Sequence, residues 1–326
     1  MNHHRRNLLL LSALALGAPA LPAFAQANWP SQSVTMVVPF AAGGGTDIVA
    51  RAIATQLGTR LGQAVVVDNK PGAGTVIGAE SVIRAAPDGH TLLVSGASTW
   101  SINPAMRPSV RYDGVKDFSP IGIVASVPLL LLVHADSPYR TLEDVIKAAR
   151  ERPSSLNYAT HGPGTVPHLA GALFQIAAGI QMSDVAYRGS APAMMALISK
   201  EVDISLDTAA SAAPQIKAGK VRALANFGAR RSALFPSLPV VAELGLADAT
   251  FDGWYGMAAP ANTPKPVVER LAKELQAIMG SGEIKAQLLA QSIDATYIGP
   301  EQMRQQIERE TTRFRALAHR ANIRLN

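Results

Sequence analysis

Three glycine-rich turns constrain this 326-residue chain more than any other feature, because each follows an apolar run and opens a helical pattern. They are Pro39-Phe40-Ala41-Ala42-Gly43-Gly44-Gly45-Thr46-Asp47, Asn69-Lys70-Pro71-Gly72-Ala73-Gly74-Thr75 and Thr160-His161-Gly162-Pro163-Gly164-Thr165. Glycine lets the backbone approach a neighbour or a ligand closely. A helix start presents unpaired N–H groups and the positive end of the helix dipole, so it suits an anion. In an open α/β sheet such turns lie at the carboxyl ends of strands, where ligands bind. One glycine-rich turn is an ordinary tight connection; three in this position point to binding. None is a nucleotide fingerprint. Ile48 stands where G-x-G-x-x-G needs its third glycine in the first turn, Ile77 stands there in the second, and no Gly-Lys-Ser/Thr occurs.

The segments around the turns alternate in period. Residues 34–38, 64–67 and 91–94 are short apolar strands, separated by the helical stripe Ala50, Ala54, Leu57, Leu61 and by a helical stretch at 78–86. This βαβαβ order predicts a parallel sheet covered by helices. The middle repeats the theme with strands at 129–133, 156–160, 184–187, 202–206 and 221–227. Thr141-Leu142-Glu143-Asp144 has the pattern of a capping box, followed by the buried stripe Leu142, Val145, Ile146, Ala149. Val166, Leu169, Ala170, Leu173 and Phe174 form another stripe, and Met194, Leu197 and Ile198 a further one. Two closing helices begin near 263–266 and after Pro300. The fold class is α/β.

Composition removes whole classes of function. There is no cysteine, which excludes disulfides, thiolate metal sites and cysteine nucleophiles. Residues 1–25 have the form of a cleaved secretory signal: Arg5-Arg6, an apolar run over 8–17, and Ala23-Phe24-Ala25 at the cleavage point. The arginine pair leaves the general secretory and twin-arginine routes both open. Losing those two arginines lowers the net charge from +6 to +4 over the remaining 301 residues. With no run of like charge and 5% aromatics, nucleic acid is not an expected partner. No other apolar run is long enough to span a bilayer, and without cysteine there is no lipid-anchoring site of that kind. A soluble periplasmic protein is expected.

Catalytic constellations are missing from the sequence. No G-x-S-x-G elbow occurs, and His161 and His168 are seven apart, not the i, i+4 pair of a helical metal site. His168 is expected to pack or hydrogen-bond within its helix. Arg188, directly after a strand, either clamps a carboxylate or lies on the surface. Asp207, like Asp203, either serves a site or is solvated or caps a helix.

The segments PFAAGGGTDIVAR (39–51), NKPGAG (69–74), YATHGPGTVPHLAG (158–171), YRGSAPA (187–193) and GWYGMAAPANTP (253–264) resemble the signature stretches of the tripartite tricarboxylate transporter substrate-binding proteins, the Bug family. They stand in the family's order across nearly all of residues 26–326. The resemblance implies a periplasmic-binding-protein-like fold of two α/β lobes around a ligand cleft, with two crossing segments near Ala125 and Thr250. Lobe 1 would be 26–124 with 251–326, and lobe 2 would be 125–250.

The resemblance also implies a monomeric receptor for a small carboxylate, with no cofactor, no metal and no catalytic residue. Its partner would be the subunits of a membrane permease; a membrane sensor is the alternative, and an exported α/β enzyme a weaker one. Carried over residue by residue, the site comprises Phe40, Ala42, Gly44, Thr46 and Asp47 from the first turn, then Gly72, Ala73 and Gly74 from the second. Gly164 and Thr165 would meet the rest of the ligand, with Arg188 and Asp207 nearby. The family often has Gly-Gly where this chain has Gly74-Thr75, so Thr75 is expected to narrow that side of the pocket. His161 and Pro163 also depart from the usual Ser and Gly types, which leaves the distal specificity open.

Overall fold

The strand β1 (Val34–Val38) is apolar at four of five positions and buried at all four, as a central strand covered on both faces must be. It opens a computed structural model that describes residues 29–228, 231–232, 235–251 and 253–321. The expected signal segment at 1–25 lies outside the described residues. After β1 come α1 (Gly45–Leu61), β2 (Val65–Asn69), α2 (Val76–Ile83), β3 (Thr91–Gly96) and α3 (Asn103–Met106). The middle of the chain forms β4 (Phe118–Val127), β5 (Leu129–His134), α4 (Leu142–Glu151), β6 (Asn157–Thr160), α5 (Val166–Ala178) and β7 (Ser183–Ala186). It continues with α6 (Ser190–Ile198), β8 (Ile204–Thr208), α7 (Ala209–Lys217) and β9 (Val221–Asn226). The last elements are β10 (Gly253–Pro260), α8 (Lys265–Gly280), α9 (Gly282–Ala290), β11 (Asp294–Ile298) and α10 (Pro300–Ala321).

The strands form two sheets, in the orders β11-β4-β10-β3-β1-β2 and β7-β6-β8-β5-β9. Each is sandwiched between helices, which makes two α/β lobes. Apolar side chains of α1, α8 and α9 pack on one face of the first sheet, and those of α2, α3 and α10 on the other. In the second lobe α4 and α5 cover one face, α6 and α7 the other.

Parallel pairing is only half of the picture. β1, β2 and β3 pair in parallel, as the βαβαβ order predicts, but β10, β4 and β11 add antiparallel. The sequence conceals these three strands. β4 carries Pro120 and a Gly122 at φ +158°, and its pairing with β10 is interrupted twice by bulges, so simple alternation is lost.

Between the lobes the chain passes twice. Ala125 still pairs with Tyr255 in the first sheet, and only Pro128 separates β4 from β5, so the first passage lies at 127–129. The return follows Phe251, whose N–H donates to the Phe227 carbonyl at 2.7 Å before β10 enters the first sheet. The Thr141 capping box forms as the sequence predicts: its hydroxyl accepts from Asp144 N–H, and the Asp144 carboxylate accepts from Thr141 N–H. No helix among the described residues is long and apolar enough to cross a membrane.

One half-buried acid ties α10 to the strand that lines the cleft. Glu310 accepts hydrogen bonds from Trp254 Nε1 at 2.8 Å, Ser101 Oγ at 2.9 Å and Gln306 Nε2 at 3.1 Å. Burial pushes its carboxyl above the ordinary range, against the pull of those three donors. An acid with a raised folded pKa costs stability while ionised, and the cost disappears as pH falls toward the unfolded value. Glu310→Gln keeps an acceptor for Trp254. It is expected to raise stability by on the order of 1 kcal/mol at about pH 8, with the gain vanishing near about pH 4. Thermal melts of both proteins at the two pH values check this.

Candidate functional site

The first glycine turn ends on the N-terminus of α1, and Asp47 holds it in shape. Its carboxylate accepts from Gly43 N–H and Arg51 Nε, each at 2.9 Å, and from Asn69 Nδ2 at 3.0 Å. Asn69 Nδ2 also donates to the Phe40 carbonyl, which ties the first turn to the end of β2. Burial alone would push the Asp47 carboxyl up; the bonds from Arg51, Gly43 and Asn69 outweigh it and hold the group below its ordinary value. Asp47 therefore positions the turn. No side chain caps α1 at Gly44, and the first N–H groups of a helix have no intrahelical acceptor.

The second turn has four successive positive φ angles, at Gly72, Ala73, Gly74 and Thr75. The hydroxyl of Thr75 is turned into lobe 1, where Thr99 Oγ1 donates to it at 2.9 Å and Asn103 Nδ2 at 3.2 Å. Its hydroxyl is thus tied down inside the lobe, while the residue itself borders the open groove beside the second turn. A Cβ placed on Gly74 would lie 1.9 Å from the Pro163 carbonyl oxygen of the third turn. The second and third turns thus touch each other across the cleft.

Other contacts join the lobes along the same seam. Arg107 donates from Nη1 to the Ala73 carbonyl at 2.6 Å and from Nη2 to the Pro163 carbonyl at 2.8 Å. Ala41 N–H donates to the Arg188 carbonyl at 3.3 Å, and Val166 N–H to Ser98 Oγ at 3.0 Å. The rings of Phe40 and His161 meet edge to face at 6.3 Å. The lobes stand closed on one another.

Between them lies a cavity of about 50 Å³. Phe40, Gly44 and Thr46 line it from the first turn, with Tyr255 and Trp254 from β10. Lobe 2 contributes His161, Ser190 and Thr208. The Tyr255 hydroxyl lies beside Gly45 and Thr208, where the two lobes meet; burial pushes its phenol up to about 12. Gly45 has no room for a side chain, since a Cβ there would lie 2.7 Å from that hydroxyl.

The other residues singled out in the sequence are placed differently. Gly72, Ala73, Gly74 and Arg188 line a more open groove of about 400 Å³ on the far side of Phe40 and His161. Arg188 and Ala42 are exposed. Thr165 and Gly164 are buried at the start of α5, where the Thr165 hydroxyl donates to the Gly162 carbonyl. Asp207 is fully buried behind the cavity wall; it accepts from Ser190 Oγ at 2.7 Å and from Thr208 N–H at 2.7 Å, and lies 3.4 Å from His161 Nε2. His168 is half-buried on α5, and burial lowers its pKa. Residues that sequence reasoning did not assign to the site are Ser190, Thr208, Trp254, Tyr255 and Arg107. The first, third and fourth fall inside or beside the quoted signature stretches; Arg107 has no sequence signal at all.

A family model described as the tripartite tricarboxylate transporter family receptor matches residues 49–323. The chain belongs to that family. This receptor is 36% identical over 317 residues, 97% of its length and 94% of the relative's, to a protein encoded in the tcbD-tcbE intergenic region of a Pseudomonas species. Among solved structures, the periplasmic binding protein BugD is 34% identical with a TM-score of 0.86, covering 91% of this chain and 99% of that one. MatC of Rhodopseudomonas palustris, solved with bound malate, is 31% identical with a TM-score of 0.85, over 88% of this chain and 99% of its own. Another R. palustris protein, solved with adipate, is 33% identical with a TM-score of 0.87, over 91% and 99%. The receptor is thus related to solute-binding proteins and not to enzymes.

Proposed function

We propose that the receptor captures a small carboxylate in the periplasm and delivers it to the membrane permease of a tripartite tricarboxylate-type transporter. The observation that carries this reading is the cavity itself: the uncapped N-terminus of α1 faces an enclosed space whose walls come from both lobes. An ionised carboxylate suits that helix end, and exclusion of water strengthens its hydrogen bonds. Malate and adipate in the two related structures support the same chemistry. Export by a cleaved segment at 1–25, a monomeric state, and a division into two lobes at the passages near 128 and 251 belong to the same proposal.

A ligand that touches both lobes favours the closed state, so binding shifts the population toward closure and the permease reads a loaded receptor by its shape. Calorimetry across carboxylates and their methyl esters tests the ligand class. The ester of a true ligand is expected to bind worse by roughly 1.5–3 kcal/mol, the loss of a charge-assisted hydrogen bond. Equal binding of an acid and its fully esterified, neutral form would remove the carboxylate reading. Uptake in cells with and without the permease subunits tests delivery.

A further inference from the structure

Resting on the carboxylate-receptor reading, we infer that the cavity takes a small monocarboxylate with an uncharged, largely apolar body and discriminates against dicarboxylates. Polar donors gather at one end of the cavity, around the N-terminus of α1, Thr46 and the Tyr255 hydroxyl. The walls also include Val127 and Leu129 beside the first passage, Val166, whose N–H already donates to Ser98 Oγ, and the indole of Trp254, whose Nε1 is committed to Glu310. No lysine, arginine, aspartate or glutamate lines the cavity among the described residues. A second carboxylate held there has no lysine or arginine to meet, and an unpaired buried charge is heavily penalised.

Lobe 2 already contains a carboxylate of its own. Asp207 lies where α6 and α7 begin, the place at which that lobe offers donors to an anion. Its oxygens take up the Ser190 hydroxyl and the Thr208 N–H, and His161 Nε2 stands 3.4 Å away. The Ser190 hydroxyl and the Thr208 N–H are spent on Asp207, and His161 Nε2, which has no hydrogen-bond partner of its own, stands beside that same carboxylate. A distal carboxylate would therefore meet a like charge directly behind the wall, which gives discrimination by repulsion. Nor does the outer groove help. The edge-to-face pair of Phe40 and His161 stands between the cavity and the exposed Arg188 on the groove's rim.

Calorimetry on the purified protein tests this with acids matched by skeleton: butanoate and succinate, hexanoate and adipate, benzoate and terephthalate, with the monomethyl ester of each diacid. In whichever skeleton binds, the monoacid and the monoester are expected to bind about 100-fold more tightly than the diacid, as a desolvated unpaired charge requires. A diacid that binds as tightly as its monoester overturns the inference and leaves the carboxylate reading standing. A 2-amino derivative that binds more tightly than its parent acid overturns the uncharged body. If fully esterified, neutral compounds bind as well as the acids, or none of the acids binds, the carboxylate reading itself falls and the inference with it.

Discussion

Gly74→Val is expected to abolish ligand binding while both lobes stay folded. A side chain at this position would drive its Cβ to 1.9 Å from the Pro163 carbonyl oxygen and to 3.5 Å from Arg107 Nη2, at a φ of +59°. The first contact is with the opposite lobe, so the collision is present only when the lobes are shut. The closed state is penalised and the separate lobes much less so. With the seam held open, the cavity loses one of its walls, and affinity is expected to fall at least about 100-fold, about 2.7 kcal/mol. Gly62→Ala is the control for backbone strain. Gly62 also has a left-handed φ, +70° at the end of α1, but a Cβ there would meet nothing within 4 Å. It should lose about 1 kcal/mol of stability and no affinity. Calorimetry with a bound acid, beside small-angle scattering, separates the two. Unchanged affinity in Gly74→Val would mean that binding does not need this closure.

Asp47→Asn should produce the largest loss of stability among the residues of the first turn. The carboxylate is 4% exposed, and three donors from Gly43, Arg51 and Asn69 converge on it. An amide cannot accept all three, and the turn that carries Gly44 and Thr46 loses its anchor to β2. The expected cost is about 3 kcal/mol. Because the folded pKa lies below the unfolded value, Asp47 stabilises the protein above that value, and the contribution is lost as pH falls through the folded pKa. The gap between wild type and variant is therefore expected to be full at about pH 7 and to narrow in acid, as pH falls below the ordinary aspartate value of about 3.9. Urea unfolding at both pH values measures it. A gap that stays constant with pH would show that shape, not charge, holds the turn.

Both residues stand in turns that are legible in the sequence, yet their tasks are not. The family resemblance implies a carboxylate grip at Asp47 and Gly74. In the folded chain Asp47 braces its own turn, and Gly74 makes room for the opposite lobe. Likewise Thr75 falls at a position marked as unusual, and its hydroxyl is turned away into lobe 1.

What the sequence by itself determined is local. β1, β2 and β3 with their helices, the Thr141 capping box and the three glycine turns all depend on residues a few positions apart. Hydrophobic period, cap chemistry and the conformational freedom of glycine therefore specify them. The ordered signature segments carried the family for the same reason, since each is a short contiguous string. Only the tertiary structure decided the rest. The antiparallel placement of β10, β4 and β11, the Arg107 bridge from Ala73 to Pro163, and the burial of Asp207 against Ser190 and His161 join segments tens of residues apart. No period or spacing along the chain encodes such a meeting. It exists because two separately packed lobes close face to face, and the turns that each lobe's sheet presents at that seam become one another's neighbours.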